Sequence, residues 1–378
     1  MSEWVTIQLK ELLTLKRGYD LPHSETKSGP YPVVASTNVR GYHNEHKVDG
    51  PVITVGRSGS IGHVQYIESK AWPLNTTLYM TDAKGNNKRF IYYFLKTIGL
   101  EQFNSGAGVP TLNRNHINLL KVKIPKKTIQ TKIADVLSTY DRLIENNNRR
   151  IQILEQTTEE LYKEWFVRMR FHGYEKTKFD RGIPEGWEVQ KLSDLIRVTD
   201  GTHDTPKEVT DGVPLVTGRN IVNGQIDFNT TYNISKEDHK KINVRSSIEK
   251  HDILYSNIGT IGQMTIVNSD NKYSVKNLII LKTSQYDCYE YIYLHFKNEA
   301  CQRHFDSIAS GASQKFISLT EMRNYKILIP KKETLEQFRI YVSNLFNQIV
   351  LLSNQNQNLI KQRDLLLPRL MNGTITVK

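Results

Sequence analysis

"LLKVKIPKKT" occupies residues 119–128 and "NYKILIPKKE" residues 324–333, so Ile124-Pro125-Lys126-Lys127 returns as Ile329-Pro330-Lys331-Lys332 after 205 residues. In both copies a short apolar run of strand character leads into the proline. A long helical pattern follows each time, and Pro184 stands beyond the end of the first. The tetrapeptide therefore marks a handover from a sheet-rich part to a helix, made twice.

Working outward, Trp4, Leu9 and Leu12 match Trp187, Leu192 and Leu195 at an offset of 183. Pro32 and Asn38 match Pro214 and Asn220 at 182, and "GRSGSIG" (56–62) matches "SNIGTIG" (256–262) at 200. Asn75 pairs with Asn277, and "SGAGVPTLNRNHI" (105–117) with "SGASQKFISLTEM" (310–322). The order is kept and the offset rises from 182 to 200 in the middle of the copies, so the second copy carries about 18 extra residues between Ile221 and Ser256. The spacing is far too long for a solenoid.

Each copy has a first part of short apolar runs set between turn signals ("PVITV", "HVQYI", "VPLVT", "NLIILK"). Helical patterns lie near "RFIYYFLKTI" and "YEYIYLHFKNEACQRHF", so the expected class is α+β, built twice. In the second part, positions 133, 137, 140, 144, 147, 151, 154, 158, 161 and 165 alternate by four and three. Eight of the ten are apolar, as are eight of the ten lying 205 residues later. That is a coiled-coil seam, over a run of roughly 50 Å at about 1.5 Å per residue. The helices either pack each on its own head or pair with one another. The expected division is 1–128 and 173–332 for the heads, with 129–172 and 333–378 for the helices.

The chain has 51 Lys+Arg against 39 Asp+Glu, a formal net charge of +12. The excess lies mainly on residues 1–128, which carry 17 basic and 9 acidic groups, whereas 129–172 are balanced at 7 and 7. Such a balance suits a polyanionic partner. Cys288 and Cys301 have neither metal-ligand spacing nor a disulfide framework. "MSEWVTIQLKELL" lacks a signal-peptide pattern and no apolar run reaches membrane-spanning length, so a cytoplasmic location is expected.

"VGRSGSIG" is spaced GxxGxxG between two strand patterns and reads as a hairpin turn, not a phosphate loop. Asp82-Ala83-Lys84 lacks the second acid of a nuclease site, and no Asn-Pro-Pro-Tyr or Asp-Pro-Pro-Tyr tetrapeptide occurs. No catalytic residue, metal site or cofactor is expected. The candidate DNA contacts are cationic and amide-bearing residues at turns, the types that reach base edges and phosphates. In the first copy they are Lys16, Arg17, Tyr19, Asn38, Arg40, Arg57, Ser58, Asn113 and Arg114. In the second they are Thr202, His203, Lys207, Arg219, Asn220, Asn257, Gln314 and Lys315.

"DGTHDTP…GVPLVTGRNI", "GRSGSIG" with "AWPLNTTLYM", and the "SGA…IPKK" endings together resemble the specificity subunit of a Type I restriction–modification enzyme, over nearly the whole chain. The first copy departs from the commoner family form at "GVPTLNRNHI". The resemblance implies two target recognition domains, each reading half of a bipartite site in double-stranded DNA, on an antiparallel coiled-coil spacer with pseudo-twofold symmetry. It also implies a non-catalytic bacterial or archaeal subunit. Two methyltransferase subunits would dock on it and methylate adenine, joined by two motor-nuclease subunits where the cell makes them. A self-sufficient DNA methyltransferase or nuclease, and a stand-alone DNA-binding regulator, are the competing readings. Antiparallel pairing joins residues whose numbers total 503, which sets Ile133 against Leu370, Trp165 against Phe338 and Asn147 against Asn356.

Overall fold

The computed structural model describes residues 4–106, 108–268, 272–311 and 315–377. The chain forms two compact units, Met1–Asn147 with Asn354–Lys378, and Asn148–Ser353.

In the first unit, Trp4–Gln8 pairs antiparallel with Lys121–Pro125, placing Val5 opposite Ile124 and Trp4 opposite Pro125. Between these closing strands lies an antiparallel sheet in the order Thr14–Arg17, Thr77–Asp82, Val52–Gly56, Val64–Ile67. A second sheet has Val39–His43 antiparallel and Trp72–Pro73 parallel to Tyr31–Val34. Val52–Gly56 is buried along its whole length, as a near-continuous apolar run requires. Ile53 and Val55 enter the main core with Phe90 and Phe94, while Val52 packs with Val34, Ala71 and Tyr79. Helix Lys88–Leu95 starts where the Asn87 side chain accepts a hydrogen bond from the Phe90 amide at 3.0 Å.

The second unit repeats this topology. Its four-stranded sheet runs Arg197–Asp200, Ile279–Lys282, Ile253–Tyr255, Met264–Ile266. Tyr232–Ile234 and Ser274–Val275 flank Val213–Val216, and Glu188–Lys191 closes against Lys326–Ile329. The match reaches single hydrogen bonds. Asn75 donates its backbone N–H to the Tyr19 carbonyl at 2.8 Å, and Asn277 to that of Thr202 at 3.1 Å. The extra residues fall in two portions of nine. Tyr31 pairs with His43, twelve residues on, whereas Val213 pairs with Ile234, twenty-one on. The rest lies between Ile234 and Ile253, where helix Lys236–Ser246 has no counterpart.

The long helices are Lys127–Tyr162, continued by a wider π-helical turn at Lys163–Val167, and Lys332–Met371. The two packing alternates of the sequence both occur. In the first unit Ile133, Ala134 and Leu137 share the head's core with Leu367, Leu370 and Met371 from the far end of the other helix. In the second, Leu335, Phe338 and Val342 share it with Tyr162, Trp165 and Phe166. Pairing is antiparallel within each unit, in the expected register. Trp165 and Phe338 rings lie 5.6 Å apart in the second unit. In the first, the buried Asn147 amide donates to the Asn356 carbonyl oxygen at 3.0 Å.

Two measurements follow from this packing. Asn147→Leu or Asn356→Leu alone strands one buried amide, and should cost about 1–3 kcal/mol in denaturant unfolding of the first unit. The double variant should recover most of that loss, and simple additivity in the cycle would refute the pairing. In the second unit, His295 sits between the hydroxyls of Tyr162 (2.9 Å) and Tyr325 (2.8 Å), and burial pushes its pKa down to about 4. The unfolded chain takes up that proton near the ordinary value of about 6.5. Stability is therefore complete above that pH and lost as pH falls toward 4. The thermal midpoint should drop across this window, and that component should vanish in His295→Gln.

Candidate nucleic-acid interface

In the first head the chain gathers cations from three separate segments. Lys16 and Arg17 end the strand Thr14–Arg17, in register with Tyr79 and Leu78. Arg57 opens the glycine turn, which joins the antiparallel strands Val52–Gly56 and Val64–Ile67 as a hairpin. Gly59 and Gly62 hold φ of +79° and +80°, where side chains are strained. The third segment is tied to the turn through backbone alone. The Leu112 N–H donates to the Arg57 carbonyl at 2.8 Å, and the Gly59 N–H to that of Pro110 at 3.0 Å. Asn113 then caps the short helix Arg114–Asn118 by accepting from the Asn115 amide at 3.0 Å.

The result is an open groove of about 490 Å³ lined by Lys16, Arg17, Arg57, Asn113 and Arg114, with Ser105, Thr111 and Asn115 alongside. No carboxylate lies among the described residues lining it, and none of the four cations forms an ion pair with a described residue. Arg57 is steadied by a 3.3 Å bond from its guanidinium to the Asn75 carbonyl. Asn38 and Arg40 are exposed away from this lining, and Ser58 is half-buried with its N–H on the Thr76 carbonyl. Tyr19 instead turns its hydroxyl onto that of Tyr79 at 2.8 Å.

The second head spends several of its candidates on its own loops. Asn220 is buried, accepting from the Thr217 N–H at 2.8 Å and donating to the Thr230 carbonyl at 2.9 Å. Asn257 donates to the Ile317 carbonyl at 2.8 Å, and the buried Thr202 hydroxyl accepts from the Asp204 N–H. His203 bridges Asp200 at 2.7 Å and Asn277 at 3.0 Å, and Arg245 holds the other Asp200 oxygen at 2.6 Å. Lys207, Arg219 and Lys315 are exposed and outside any ion pair with a described residue, whereas Gln314 lies outside the described residues. Arg245 escaped the sequence reading because it sits in the insertion, with no counterpart to align.

At equivalent places the two heads differ in charge. Lys16, Arg17, Arg57, Asn113 and Arg114 correspond to Thr199, Asp200, Asn257, Ser318 and Leu319. The frame around them is the same. The Ile317 N–H donates to the Asn257 carbonyl at 2.9 Å, and the Gly259 N–H to that of Lys315 at 3.1 Å.

Among the described residues no cluster of three or more His, Cys, Asp or Glu could hold a metal ion. Burial pushes both cysteine thiols up to about 12, which keeps them protonated and unreactive. No helix of the described residues is long and apolar enough to cross a membrane.

A family profile described as "Type I restriction modification DNA specificity domain" matches residues 1–156 and 184–362, once over each head with part of a helix. The chain belongs to this family. The Type I restriction enzyme MjaIX specificity subunit of Methanocaldococcus jannaschii is 25% identical, over 76% of this chain and 69% of that protein. The HindI specificity subunit of Haemophilus influenzae is 24% identical, over 70% and 71%. The crystal structure of a Type I restriction–modification S subunit from M. genitalium shares the fold at a TM-score of 0.62. It is 18% identical and is matched over 97% of this chain and 96% of its own. Between the two copies within this chain, the head and its helix are the common frame, and the loops are where they part company.

Proposed function

We propose that the chain is the sequence-reading, non-catalytic subunit of a Type I restriction–modification complex. In this reading residues 1–128 and 173–332 are target recognition domains, each engaging one half of a bipartite site in double-stranded DNA. Residues 129–172 and 333–378 are the spacer that separates the halves. Two adenine-N6 methyltransferase subunits, and two motor-nuclease subunits where present, assemble on it in the cytoplasm. The chain itself needs no cofactor.

One observation carries the reading: the same head is built twice on paired helices, with loops of unlike chemistry on a shared backbone frame. Copies kept for a single symmetric site would be expected to retain the same contact residues. Arg17, Arg57 and Arg114 present guanidinium forks, which suit guanine edges and phosphates, and Lys16 suits a phosphate. The exposed Lys207, Arg219 and Lys315 are the corresponding candidates of the second head. Split sites follow when two separate modules read DNA at a fixed spacing.

Three outcomes test this. The purified chain alone should transfer no methyl group from S-adenosylmethionine to DNA, while the chain with its methyltransferase partner should; transfer by the chain alone would sink the proposal. Replacing residues 1–128 by the first head of another family member should change one half of the methylated sequence only. A change in both halves, or in the gap, contradicts independent reading. Arg57→Ala should weaken binding to the cognate duplex by about 1–3 kcal/mol if its fork meets a base. Unaltered affinity and sequence preference would remove Arg57 from the contact set.

A further inference from the structure

At the positions of the first head's four groove cations the second carries Thr199, Asp200, Asn257 and Leu319, yet it has a helix that the first lacks. That helix, Lys236–Ser246, begins where Ser235 accepts from the Asp238 amide at 3.0 Å. One of its faces carries Lys236, His239, Lys240 and Asn243, spaced by three and four. This face forms one wall of an open groove of about 840 Å³, whose other wall includes Lys250, Lys272 and Tyr273. Four lysines converge on it, no carboxylate lies among the described residues lining it, and none of the four is engaged in an ion pair with a described residue.

Two further observations set this groove apart from an ordinary solvated lysine face. The Tyr273 side chain is 1% exposed, and its hydroxyl has no hydrogen-bond partner among the described residues. Burial holds that phenol well above its ordinary range, so it keeps its proton and its donor is left unspent among the described residues. The helix is also fastened to the candidate loop at 200–207, because Arg245 in its last turn binds the Asp200 carboxylate at 2.6 Å.

We propose that the Lys236–Lys240–Lys250–Lys272 groove holds the phosphate backbone of duplex DNA for the second head. It would do for this head what the Lys16, Arg17, Arg57 and Arg114 groove does for the first. The assignment rests on the DNA-reading function proposed above and adds a site that lies in none of the loops aligned between the copies. Lysine ammoniums act as point charges on phosphate and read no base, so the groove would position the duplex and leave sequence choice to other residues.

The test is the salt dependence of binding by the full chain to a long random-sequence duplex. Each phosphate neutralised contributes about 0.9 to the slope of log affinity against log salt. The triple variant Lys236→Gln, Lys240→Gln, Lys272→Gln should flatten the slope by about two to three. Val244→Lys, at a groove position that is 88% exposed, should steepen it by about one. Both variants alter surface residues, and an unchanged thermal midpoint confirms that they fold. Unchanged slopes with DNA still bound overturn the proposal and leave the DNA-reading function standing. No binding by the unmodified chain overturns both. A rise in thermal midpoint with inorganic phosphate, lost in the triple variant while the DNA slope stays the same, assigns the groove to a small anion and overturns the backbone assignment.

Discussion

Each head is closed by a return of its last strand to its first, and the start of each helix inherits its position from that closure. Along Trp4–Gln8 and Lys121–Pro125 five residue pairs face one another, and the Leu9 N–H extends the ladder to the Leu120 carbonyl at 2.9 Å. The second head repeats this, with Leu192 donating to Tyr325 at 2.8 Å. Only Lys126 separates the first closing strand from its helix, so the helix direction is set by the sheet. Gln130 then clamps the first turn. Its amide nitrogen reaches the Pro125 carbonyl at 3.0 Å and the Asn86 side chain at 2.9 Å, while its oxygen accepts from the Asn87 N–H at 3.1 Å. A fully bonded buried amide of this kind fixes an angle where apolar packing would allow several.

The helices cannot be trimmed from the heads without opening the cores. Ile133 and Leu137 lie in one apolar cluster with Phe90 and Leu370, and Phe338 lies in another with Trp165 and Tyr291. Large-to-small changes at such sites cost about 2–5 kcal/mol, so a head cut off at its proline would lose much of what holds it together. The polar members of the seam are each accommodated. Asn147 meets Asn356, Arg363 meets Asp141 at 2.7 Å, and the buried Thr158 hydroxyl donates to the Glu155 carbonyl at 2.8 Å. An amide pair forfeits apolar contact but penalises a slipped register, where each amide would face aliphatic neighbours.

The frame was legible in the sequence because it rests on repeated, periodic features. Heptad spacing, the strand-to-helix prolines and the glycine turn each have a local physical signature, and their recurrence at matched offsets reinforced every one. The candidate contact surface was less legible, because residue type alone does not distinguish an amide facing outward from one consumed by its own loop. Asn220 and Asn257 belong to the second kind, each bonded to nearby backbone. The helix Lys236–Ser246 was hidden for a different reason. Ser235 with Asp238 three residues later is a start signal, but the following face points lysines at a groove instead of apolar residues at a core.

What lets two copies of one head diverge in chemistry is that their candidate loops are tied down by backbone atoms. The bonds from Leu112 to Arg57 and from Ile317 to Asn257 use N–H and carbonyl groups only, so they hold whether the turn carries a guanidinium or a carboxamide. Gly59 and Gly259, like Gly62 and Gly262, keep left-handed backbone in both turns, at φ of +79°, +78°, +80° and +89°. The residues beside them are then free to change without reshaping the turn. The conformation of both turns is carried by the glycines and the main chain. Under that division residues 57 and 257 differ between the copies while the sheet and the closing strands keep the same arrangement in both heads.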